Sequence, residues 1–439
     1  MNVCVVALGK IGLPLAVQFA RSGLDVIGAD IDVVSVAKIN GGEAPFPGEA
    51  HLAEFLPEAI ASGRLRATTN TQQAVSESEV VVVVVPLVVD DLAEPEFTAL
   101  DSATRAIAAG LRPGTLVIYE TTLPVGTTRQ RFAPMLAQGS GLALGTQLFV
   151  AFSPERVYSG RIFADLRRYP KLVGGIDEES TLRAVQFYER ALQFDDRDDL
   201  RQPNGVWNLK STEAAELAKL AETTYRDVNI AFANELAKFA DAHSIDVMDV
   251  IDSCNSQPFS HIHRPGIAVG GHCIPVYPRF YLKGHATAQL PSAARMVNDA
   301  MPEYAVALLE DEIGPLAALR IAVLGAAYRG GVKETAFSGV FATVAALVAR
   351  GAQPVVHDPL YTDEELRGLG FHPYHFGEPC SAAIVQAEHV EYDNLDAQLL
   401  GGATVVLDGR KSVNKHPDLK IITIGGGSHS TTTRVHSAH

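Results

Sequence analysis

The chain of 439 residues is long enough for about two to three domains, each with a hydrophobic core. Its composition, 47% hydrophobic and 20% charged residues with 37 glycines, is typical of a soluble α/β protein and argues against disorder. The net charge of -15 argues against nucleic acid as a partner, because such a partner requires a basic surface.

Two further features concern the compartment. The four cysteines are widely spaced and form no C-x-x-C pair, which indicates reduced thiols and a cytoplasmic protein. The apolar start MNVCVVALG lacks a basic region, so it predicts a strand and not a signal peptide. The most apolar run, residues 80–85, is far shorter than the about 20 residues that cross a membrane. It predicts a buried parallel strand, and no membrane partner is expected.

The first elements have the order of a dinucleotide-binding unit. They are a strand over 2–7, a glycine-rich turn over 9–12, a helix over 13–22 and a strand over 25–29. In such a unit the pyrophosphate lies at the helix N-terminus, and an acid after the second strand binds the ribose hydroxyls. Asp30 is that acid and favours NAD over NADP. Ala7 replaces the first glycine of the usual fingerprint, and its methyl group is tolerated if the turn keeps a negative φ.

The same alternation continues with helices over 52–62 and 100–109 and strands over 80–85, 114–120 and 148–152. Ligands bind at the carboxyl ends of parallel strands, so the turns PLVVDD and ETTLPVGTT are expected to face the cofactor. The strand over 148–152 ends in SPERV, which places Glu155 at the same edge, although such a residue is more often a surface or capping residue. The predicted cofactor-binding residues are Gly9, Lys10, Ile11, Gly12, Asp30, Pro86 and Thr122.

A long helix is predicted over 211–243, with an N-cap at its first or second residue. Its apolar stripe indicates a linker helix that packs on both neighbouring segments and, as one interpretation, on another subunit. Lys219 and Thr223 are four residues apart on one face, so they can present an ammonium and a hydroxyl group to one point. The alternative is that Lys219 only pairs with Glu216 or Glu222.

The segment HIHRPGIAVGGHCIP contains the strongest candidate nucleophile, Cys273. Gly266, Gly270 and Gly271 let the backbone approach a ligand, and a cysteine on such a loop is a candidate because the thiolate is the reactive species. The alternative is a small buried cysteine in a turn. The three histidines of the segment raise the further alternative of a metal site, but their spacing is not that of structural zinc, so no metal is expected.

A second α/β unit follows the central helix. The segment LRIAVLGAAYRGG predicts a strand that enters a glycine-containing turn, before a helix that ends at residue 350 and a strand that ends in VVHDP. Later strands are predicted over 404–407 and 420–424. The segment 426–439 consists of small polar residues and is expected to be disordered.

Together, the segments ALGKIGLPLA, GADID, YETTLPVGTT, SPERV, AAELAKLAETTYRDVN, PGIAVGGHCIP and DGRK resemble the UDP-glucose/GDP-mannose dehydrogenase family over nearly the whole chain. The order of VGGHCIP and SPER resembles the bacterial acetamidosugar branch more than the UDP-glucose branch. The resemblance implies an N-terminal Rossmann-like, parallel-sheet NAD-binding domain over 1–205. A central helical dimerisation and catalytic region over 206–312 and a smaller C-terminal Rossmann-like, substrate-binding α/β domain over 313–425 would follow.

The resemblance also implies a reaction, the four-electron oxidation of a hexose C6 alcohol to a uronic acid with two hydride transfers to NAD. Cys273 would add to the intermediate aldehyde, and the resulting thiohemiacetal would be oxidised to a thioester that water hydrolyses. Lys219 would stabilise the oxyanions, while Glu155 and Thr122 would position water and assist proton transfer. Thr223 completes the predicted catalytic set.

The substrate implied by the resemblance is a sugar nucleotide or a related nucleoside sugar, and the protein would be a homodimer whose partner completes each site. The thiol, the amine and the nicotinamide ring are expected to converge in one cleft. The predicted substrate-binding residues are Phe259, Gly266, Gly270, Gly271, Tyr277, Tyr328, Arg329 and Arg410.

The chain departs from the pattern of that family at four positions. Thr223 and Tyr277 replace an expected Asn and Asp, and Phe259 and Ala336 replace two expected arginines. Without those arginines the site lacks two bidentate phosphate clamps, which favours a substrate with less phosphate, such as a nucleoside-linked sugar or sugar acid. The alternative reaction is therefore a two-electron oxidation to a ketone or aldehyde, with a lysine or glutamate as general base. A protein that binds NAD without turnover is a second alternative.

Overall fold

The computed structural model describes residues 1–90 and 94–427. Its contacts divide the chain into two units, of which the first comprises Met1–Glu222 and Arg279–Gly284, and the second Thr223–Pro278 and the described residues after Gly284. The predicted disorder of the C-terminal tail falls, beyond Gly427, outside the described residues. Within the described ranges, no helix combines the length and the hydropathy that crossing a bilayer requires.

The first unit alternates strands with helices. In chain order its elements are β1 (Asn2–Val6), α1 (Gly12–Arg21), β2 (Asp25–Ala29), α2 (Val33–Asn40), α3 (Leu52–Ala61), β3 (Leu65–Thr68), α4 (Thr71–Ser76), β4 (Val80–Val83), β5 (Val88–Val89), β6 (Pro95–Glu96), α5 (Thr98–Gly110), β7 (Thr115–Tyr119), a π-helical turn (Thr128–Phe132), α6 (Ala133–Ser140), β8 (Leu148–Phe152), α7 (Ile162–Arg168), β9 (Lys171–Gly175), α8 (Glu178–Ala191), β10 (Val206–Asn208) and α9 (Thr212–Ala242), which continues into the second unit.

Eight of these strands form one sheet in the order β10-β9-β8-β7-β4-β1-β2-β3. Alternate residues of its central strands enter two separate apolar clusters, with Val80 and Val82 in one and Val81 and Val83 in the other. Both faces of β4 are therefore buried, which explains why its sequence is a continuous apolar run. The predicted α/β class and the parallel N-terminal sheet are confirmed.

One pair in this sheet is antiparallel. β9 runs against β8, with Phe152 opposite Gly174, while the other pairs described in the sheet are parallel. The reversal brings the first residue of β9, Lys171, to the edge at which β7 and β8 end. Side chains that follow the parallel strands and the side chain that opens β9 consequently meet at one edge of the sheet.

The helix α9 has 31 residues and begins at Thr212. The Ser211 hydroxyl accepts the Ala214 N–H at 3.1 Å, which confirms the first of the two predicted N-caps. In the second unit, Ala233, Ala237 and other small residues of α9 enter the apolar core.

The elements after α9 are α10 (Val247–Asn255), α11 (Tyr277–Gly284), α12 (Gln289–Asp299), α13 (Met301–Ile313), β11 (Arg320–Leu324), α14 (Val340–Ala349), β12 (Gln353–His357), α15 (Asp363–Gly368), β13 (Ala382–Val385), a 3-10 turn (Val390–Tyr392), β14 (Val405–Asp408) and β15 (Lys420–Thr423). The five strands form a parallel sheet in the order β12-β11-β13-β14-β15. The order reverses between β11 and β13, and a ligand crevice is typical outside the carboxyl ends of strands at such a point.

Candidate active site

The glycine-rich turn between β1 and α1 is held by the Asp30 carboxylate. One oxygen accepts the Leu8 N–H at 2.7 Å and the other accepts the Asp32 N–H at 2.9 Å. Gly12 has no room for a side chain, because a Cβ there would lie 1.9 Å from the Ala7 carbonyl oxygen. The condition stated for a methyl group at Ala7, a negative φ, is not met, since its φ is 75°. An L-residue in this region costs about 1–2 kcal/mol, so the chain accepts strain to keep the turn tight.

The same turn offers the groups that a dinucleotide needs. No side chain caps α1 at Ile11, so none competes with a pyrophosphate for the start of the helix, where the Leu13 N–H donates to the Gly9 carbonyl at 3.1 Å. Gly9 is exposed and nothing lies within 4 Å of its Cβ position, which leaves room for a phosphate group. Beside Asp30, Ile31 is 91% exposed and Val33 is 67% exposed, an apolar surface suited to an adenine ring. These residues fit NAD.

The turns after β4 and β7 are tied together. The Thr121 hydroxyl donates to the Val85 carbonyl at 2.6 Å, next to exposed Pro86 and to Thr122, which is buried. Both predicted cofactor-contacting turns therefore lie at the carboxyl edge of the sheet, as expected from the strand order. Their contact with the cofactor stays a prediction.

The turn after β7 is also anchored to α9 by Glu216, whose carboxylate is fully buried. Glu216 accepts the Gly126 N–H at 2.6 Å, the Thr128 N–H at 2.9 Å and the Thr128 hydroxyl at 2.7 Å. Burial raises the pKa of Glu216 to about 7, although these three donors lower it. The same turn of helix carries Lys219, so Glu216 fixes the helix at the position of the predicted catalytic amine.

Both acids on α9 that could pair with Lys219 also have other hydrogen-bond partners. Glu216 binds the turn after β7, and Glu222 accepts two donors of Arg156, at 3.0 and 3.2 Å. These contacts do not decide between the two interpretations of Lys219, and both stay open. Thr223, one helical turn later, is buried. The catalytic roles of Lys219 and Thr223 stay predictions.

Glu155 belongs to a buried group of charged side chains. Lys171 donates to Glu155 and to Glu120, at 2.8 Å in each case, and the Tyr188 hydroxyl donates to the other oxygen of Glu120. Glu155 also accepts the backbone N–H of Arg156 at 2.6 Å. Glu155 is thus an internal, fixed carboxylate rather than the surface residue of the alternative interpretation.

The two carboxyl groups of this group differ in their pKa values. Burial raises the pKa of Glu120 to about 7 against the opposing effect of Lys171. Burial also raises the pKa of Glu155, but Lys171 and the backbone N–H outweigh it, and the pKa lies below its usual value. Lys171 and Glu120 are not among the site residues predicted from the sequence. Two acids that follow adjacent buried strands are stable there only if a cation lies nearby. This pairing of acids was the sequence feature that could have predicted Lys171.

In the second unit, the glycine segment before Cys273 lies against the edge of the five-stranded sheet. The Gly271 N–H donates to the Ala336 carbonyl at 3.0 Å, with φ of 87° at Gly271. A Cβ on Gly270 would lie 2.7 Å from the Tyr328 Cβ, so only glycine fits there. Gly266 donates its N–H to the Asn234 side chain of α9 at 3.0 Å. The predicted glycines therefore meet the predicted Tyr328.

Cys273 itself is exposed, so the alternative of a buried cysteine is wrong. Its carbonyl oxygen accepts the Tyr277 N–H at 2.9 Å, which starts α11. Cys273 and Lys219 belong to different units, and their convergence at one cleft stays a prediction.

Arg410 joins three segments of the second unit. Its guanidinium donates to the carbonyls of Gln386 at 2.8 Å, Ala268 at 3.3 Å and Tyr328 at 3.3 Å. Burial lowers the pKa of Arg410, while Glu388 and Asp408 raise it. Arg410 thus positions the loops at the switch point, and its predicted contact with substrate stays a prediction.

The other predicted substrate residues lie around this edge or on a loop. Arg329 donates to the Tyr328 hydroxyl at 3.2 Å. Phe259, on the loop after α10, is 92% exposed. Within residues 1–90 and 94–427, no three His, Cys, Asp or Glu side chains are placed to hold a metal ion.

A second aspartate, in the second unit, accepts backbone N–H groups of a turn as Asp30 does in the first. Asp358, directly after β12, accepts the N–H groups of Ala326 and Ala327 at 2.8 and 3.0 Å. Unlike Asp30, it is 3% exposed, and His389 Nε2 lies 3.2 Å from its carboxylate. The VVHDP segment predicted the end of a strand but no role for this aspartate. Its position after the second strand of the unit, like that of Asp30, is the sequence feature that could have indicated one.

Comparison with family models gives three consecutive matches. Residues 1–192 match the NAD binding domain of the UDP-glucose/GDP-mannose dehydrogenase family. Residues 213–301 match the central domain, and residues 322–415 match the UDP binding domain of the same family.

Relatives with known names match along almost the whole chain. The UDP-N-acetyl-D-mannosamine dehydrogenase of Pyrococcus horikoshii is 34% identical over 95% of this chain and 97% of its own length. The enzyme of that name from Methanocaldococcus jannaschii is 32% identical over 98% and 97%. Among solved structures, a UDP-D-ManNAc dehydrogenase from P. horikoshii aligns with a TM-score of 0.84 at 32% identity, covering 97% of this chain and all of the other. A UDP-glucose dehydrogenase from Pyrobaculum islandicum gives 0.84 at 26% identity, covering 97% of each chain.

Proposed function

Because the chain belongs to the UDP-glucose/GDP-mannose dehydrogenase family and is an NAD-dependent nucleotide-sugar dehydrogenase, we propose that it oxidises the C6 alcohol of a UDP-linked 2-acetamido hexose to the uronate. The observation that carries this proposal is exposed Cys273 after a glycine segment that contacts Tyr328 and Ala336. That contact joins the candidate nucleophile to the part of the chain that matches a UDP binding domain. The relatives named for UDP-N-acetyl-D-mannosamine supply the sugar class.

The chemistry assigns one task to each side chain. NAD, when bound, supplies a hydride acceptor for each of two oxidations. The Cys273 thiolate adds to the C6 aldehyde, and the alkoxide so formed is neutralised by the Lys219 ammonium. Oxidation of this adduct leaves a thioester. Water that gives a proton to Glu155 attacks the thioester carbon, the C–S bond breaks, and the thiolate is restored as the uronate leaves.

The stoichiometry of NADH tests this reaction. With limiting UDP-N-acetyl-mannosamine, the protein is expected to form two NADH per sugar and a uronate. The C273S variant keeps the size of the side chain but lacks a thiolate, so it is expected to lose uronate formation. A Cys254→Ser variant, which changes a thiol outside the site, is the matched control and is expected to keep it. Full uronate formation by C273S would refute the thioester route.

A second candidate reaction rests on Thr223 and Tyr277, at which the resemblance to the family leads us to expect an Asn and an Asp. Without those groups the handling of protons in the second oxidation is weakened, and the reaction would stop after one hydride transfer. The expected products are then one NADH per sugar and a ketone or an aldehyde. Two NADH per sugar with a uronate product would exclude this candidate.

The charge around the edge of the five-stranded sheet, where the substrate is predicted to bind, favours a ligand with few phosphates. Ala336 and Phe259 supply no cation, and the Ala336 N–H donates to the Glu334 carboxylate at 3.2 Å. A second acid, Glu388, lies 3.5 Å from Arg410. For a nucleoside-linked sugar, we expect UDP to inhibit no more than about threefold better than uridine. For the UDP-linked substrate proposed above, a diphosphate clamp would give UDP an advantage of about tenfold or more.

A homodimer is part of the proposal. Tyr225, Phe232 and Phe239 follow one another at seven-residue intervals on α9 and are 61%, 51% and 62% exposed. Such a spacing keeps the three rings on one face of the helix. An exposed aromatic stripe is typical of a protein interface. Light scattering is expected to give the mass of two chains for the protein and of one chain for a Phe232→Glu, Phe239→Glu variant.

A further inference from the structure

The buried charged group of the first unit contains more members than the proposed reaction uses. Lys171, Glu120 and Glu155 have side chains that are 4%, 0% and 11% exposed, and the Lys171 ammonium lies 2.8 Å from both carboxylates. Moving charges out of water is unfavourable unless they are paired and hydrogen-bonded. One ammonium cannot neutralise two buried carboxylates, so the group favours binding one proton.

The hydrogen bonds decide which carboxyl group takes that proton. Glu155 accepts the N–H groups of Arg156 at 2.6 Å and Val157 at 3.1 Å as well as the ammonium of Lys171, and such donors favour its ionised form. Glu120 has Lys171 and the Tyr188 hydroxyl as partners and no exposed surface. The pKa of Glu120, raised by burial to about 7, agrees with this order.

The charged and titratable neighbours of Glu155 come from four elements. Glu120 directly follows β7, β9 begins with Lys171, and α8 contributes Tyr188. The guanidinium of Arg156, the residue after Glu155, donates to Glu222 on α9 at 3.0 Å. Lys171 is therefore the cation that contacts both carboxyl groups.

We propose that Lys171 is a positioning residue for the reaction: it fixes Glu155 as an ionised proton acceptor, while Glu120 holds the one proton that the group shares. The inference rests on the proposed function, because it assumes that Glu155 accepts a proton from the attacking water. When Glu120 is ionised, the proton taken up by Glu155 passes to Glu120, to which Glu155 is hydrogen-bonded. The group then changes from one net negative charge to neutrality, and Lys171 stays charged.

The pH dependence of kcat/KM tests the role of Lys171. In K171M the carboxyl groups lose their cation, so Glu155 protonates at higher pH, and the loss of activity is expected to be at least about tenfold larger at pH 6 than at pH 9. K171R restores a cation and is expected to keep the wild-type acid limb. A loss in K171M that is equal at every pH would overturn the proposal, since a purely structural role lowers activity uniformly.

A second measurement does not need turnover. Besides the band of Glu216, whose pKa is also raised to about 7, infrared difference spectra are expected to show a second protonated carboxyl band at pH 6 that disappears at pH 9 and is missing in E120Q. The amide oxygen of E120Q still accepts the Lys171 ammonium. Wild-type protein without that band would overturn the placement of the proton. Lys415→Met changes an exposed lysine of the second unit and is expected to leave spectrum and pH profile unchanged.

The two measurements separate the failure of the inference from the failure of the proposed function. If the wild type forms no NADH with any nucleotide sugar, the proposed function is refuted, and with it the role of Lys171 in the reaction. If the wild type turns over but K171M and K171R have equal pH profiles, the inference alone is overturned.

Discussion

The anchor formed by Glu216 predicts a pH-dependent stability that a single substitution removes. The pKa of Glu216 is raised by burial to about 7 in the folded protein, whereas a glutamate in the unfolded chain has a pKa of about 4.3. The folded state therefore holds this proton more tightly. Its contribution to the free energy of unfolding is fully present below the unfolded pKa and is lost as the pH rises through about 7.

The magnitude follows from the interval between the two pKa values. Between pH 5.5 and pH 8.5 the wild type is expected to lose about 2 kcal/mol of unfolding free energy from this group, because each pH unit below the folded pKa is worth about 1.4 kcal/mol. Glu216→Gln has no proton to lose, so it is expected to show a pH dependence flatter by that amount. Its amide still accepts the Thr128 donors but opposes the Gly126 N–H, which is expected to cost about 1–2 kcal/mol at low pH.

Urea unfolding of the wild type and E216Q at the two pH values measures this effect. Glu213→Gln, one turn earlier on α9, is the matched control, because Arg129 holds the pKa of Glu213 below its usual value and its contribution is lost only on acidification. The wild type and E213Q are expected to give parallel pH profiles. Parallel profiles for the wild type and E216Q would refute the reasoning.

Three further predictions concern single residues. Ala7→Gly is expected to raise the free energy of unfolding by up to about 1 kcal/mol, because it removes the strain at φ of 75°, whereas a loss of stability on urea unfolding would contradict that strain. Gly12→Ala is expected to abolish NAD binding in calorimetry, since its Cβ would overlap the Ala7 carbonyl, and unchanged affinity would contradict the tight turn. Arg295→Met leaves the buried carboxylate of Asp227 without its 2.8 Å partner and is expected to cost about 3–5 kcal/mol in thermal or urea unfolding. Exposed Arg105→Met is its control.

Elements with a strong local pattern were predictable from the sequence. The strands over 25–29 and 148–152 have the predicted bounds, and the long helix begins one residue after the predicted start, at its cap. β4 ends at Val83, two residues earlier than its apolar run, because the last two valines enter the turn that binds Thr121. Apolar patterning indicates burial, but it does not locate the point where the ladder of hydrogen bonds stops.

The candidate site was predictable where chemistry appears as a motif. Cys273, its glycines and Asp30 lie in turns with a recognisable spacing, so their positions followed from the sequence. The partners of Glu155 did not. Lys171 reaches Glu155 only because β9 runs antiparallel to β8, and the direction of a strand depends on tertiary pairing rather than on its own residues. The sign of φ at Ala7 is equally a property of the closed turn.

The burial of Asp358 bears on how many cofactor molecules each chain binds. Asp30 keeps a partly exposed carboxylate, which a ribose can reach, whereas the equivalent oxygens of Asp358 are sealed beneath an imidazole. We therefore expect one dinucleotide pocket in each polypeptide, with the second sheet left to bind a different molecule. Equilibrium titration should saturate at a single equivalent of oxidised cofactor per chain.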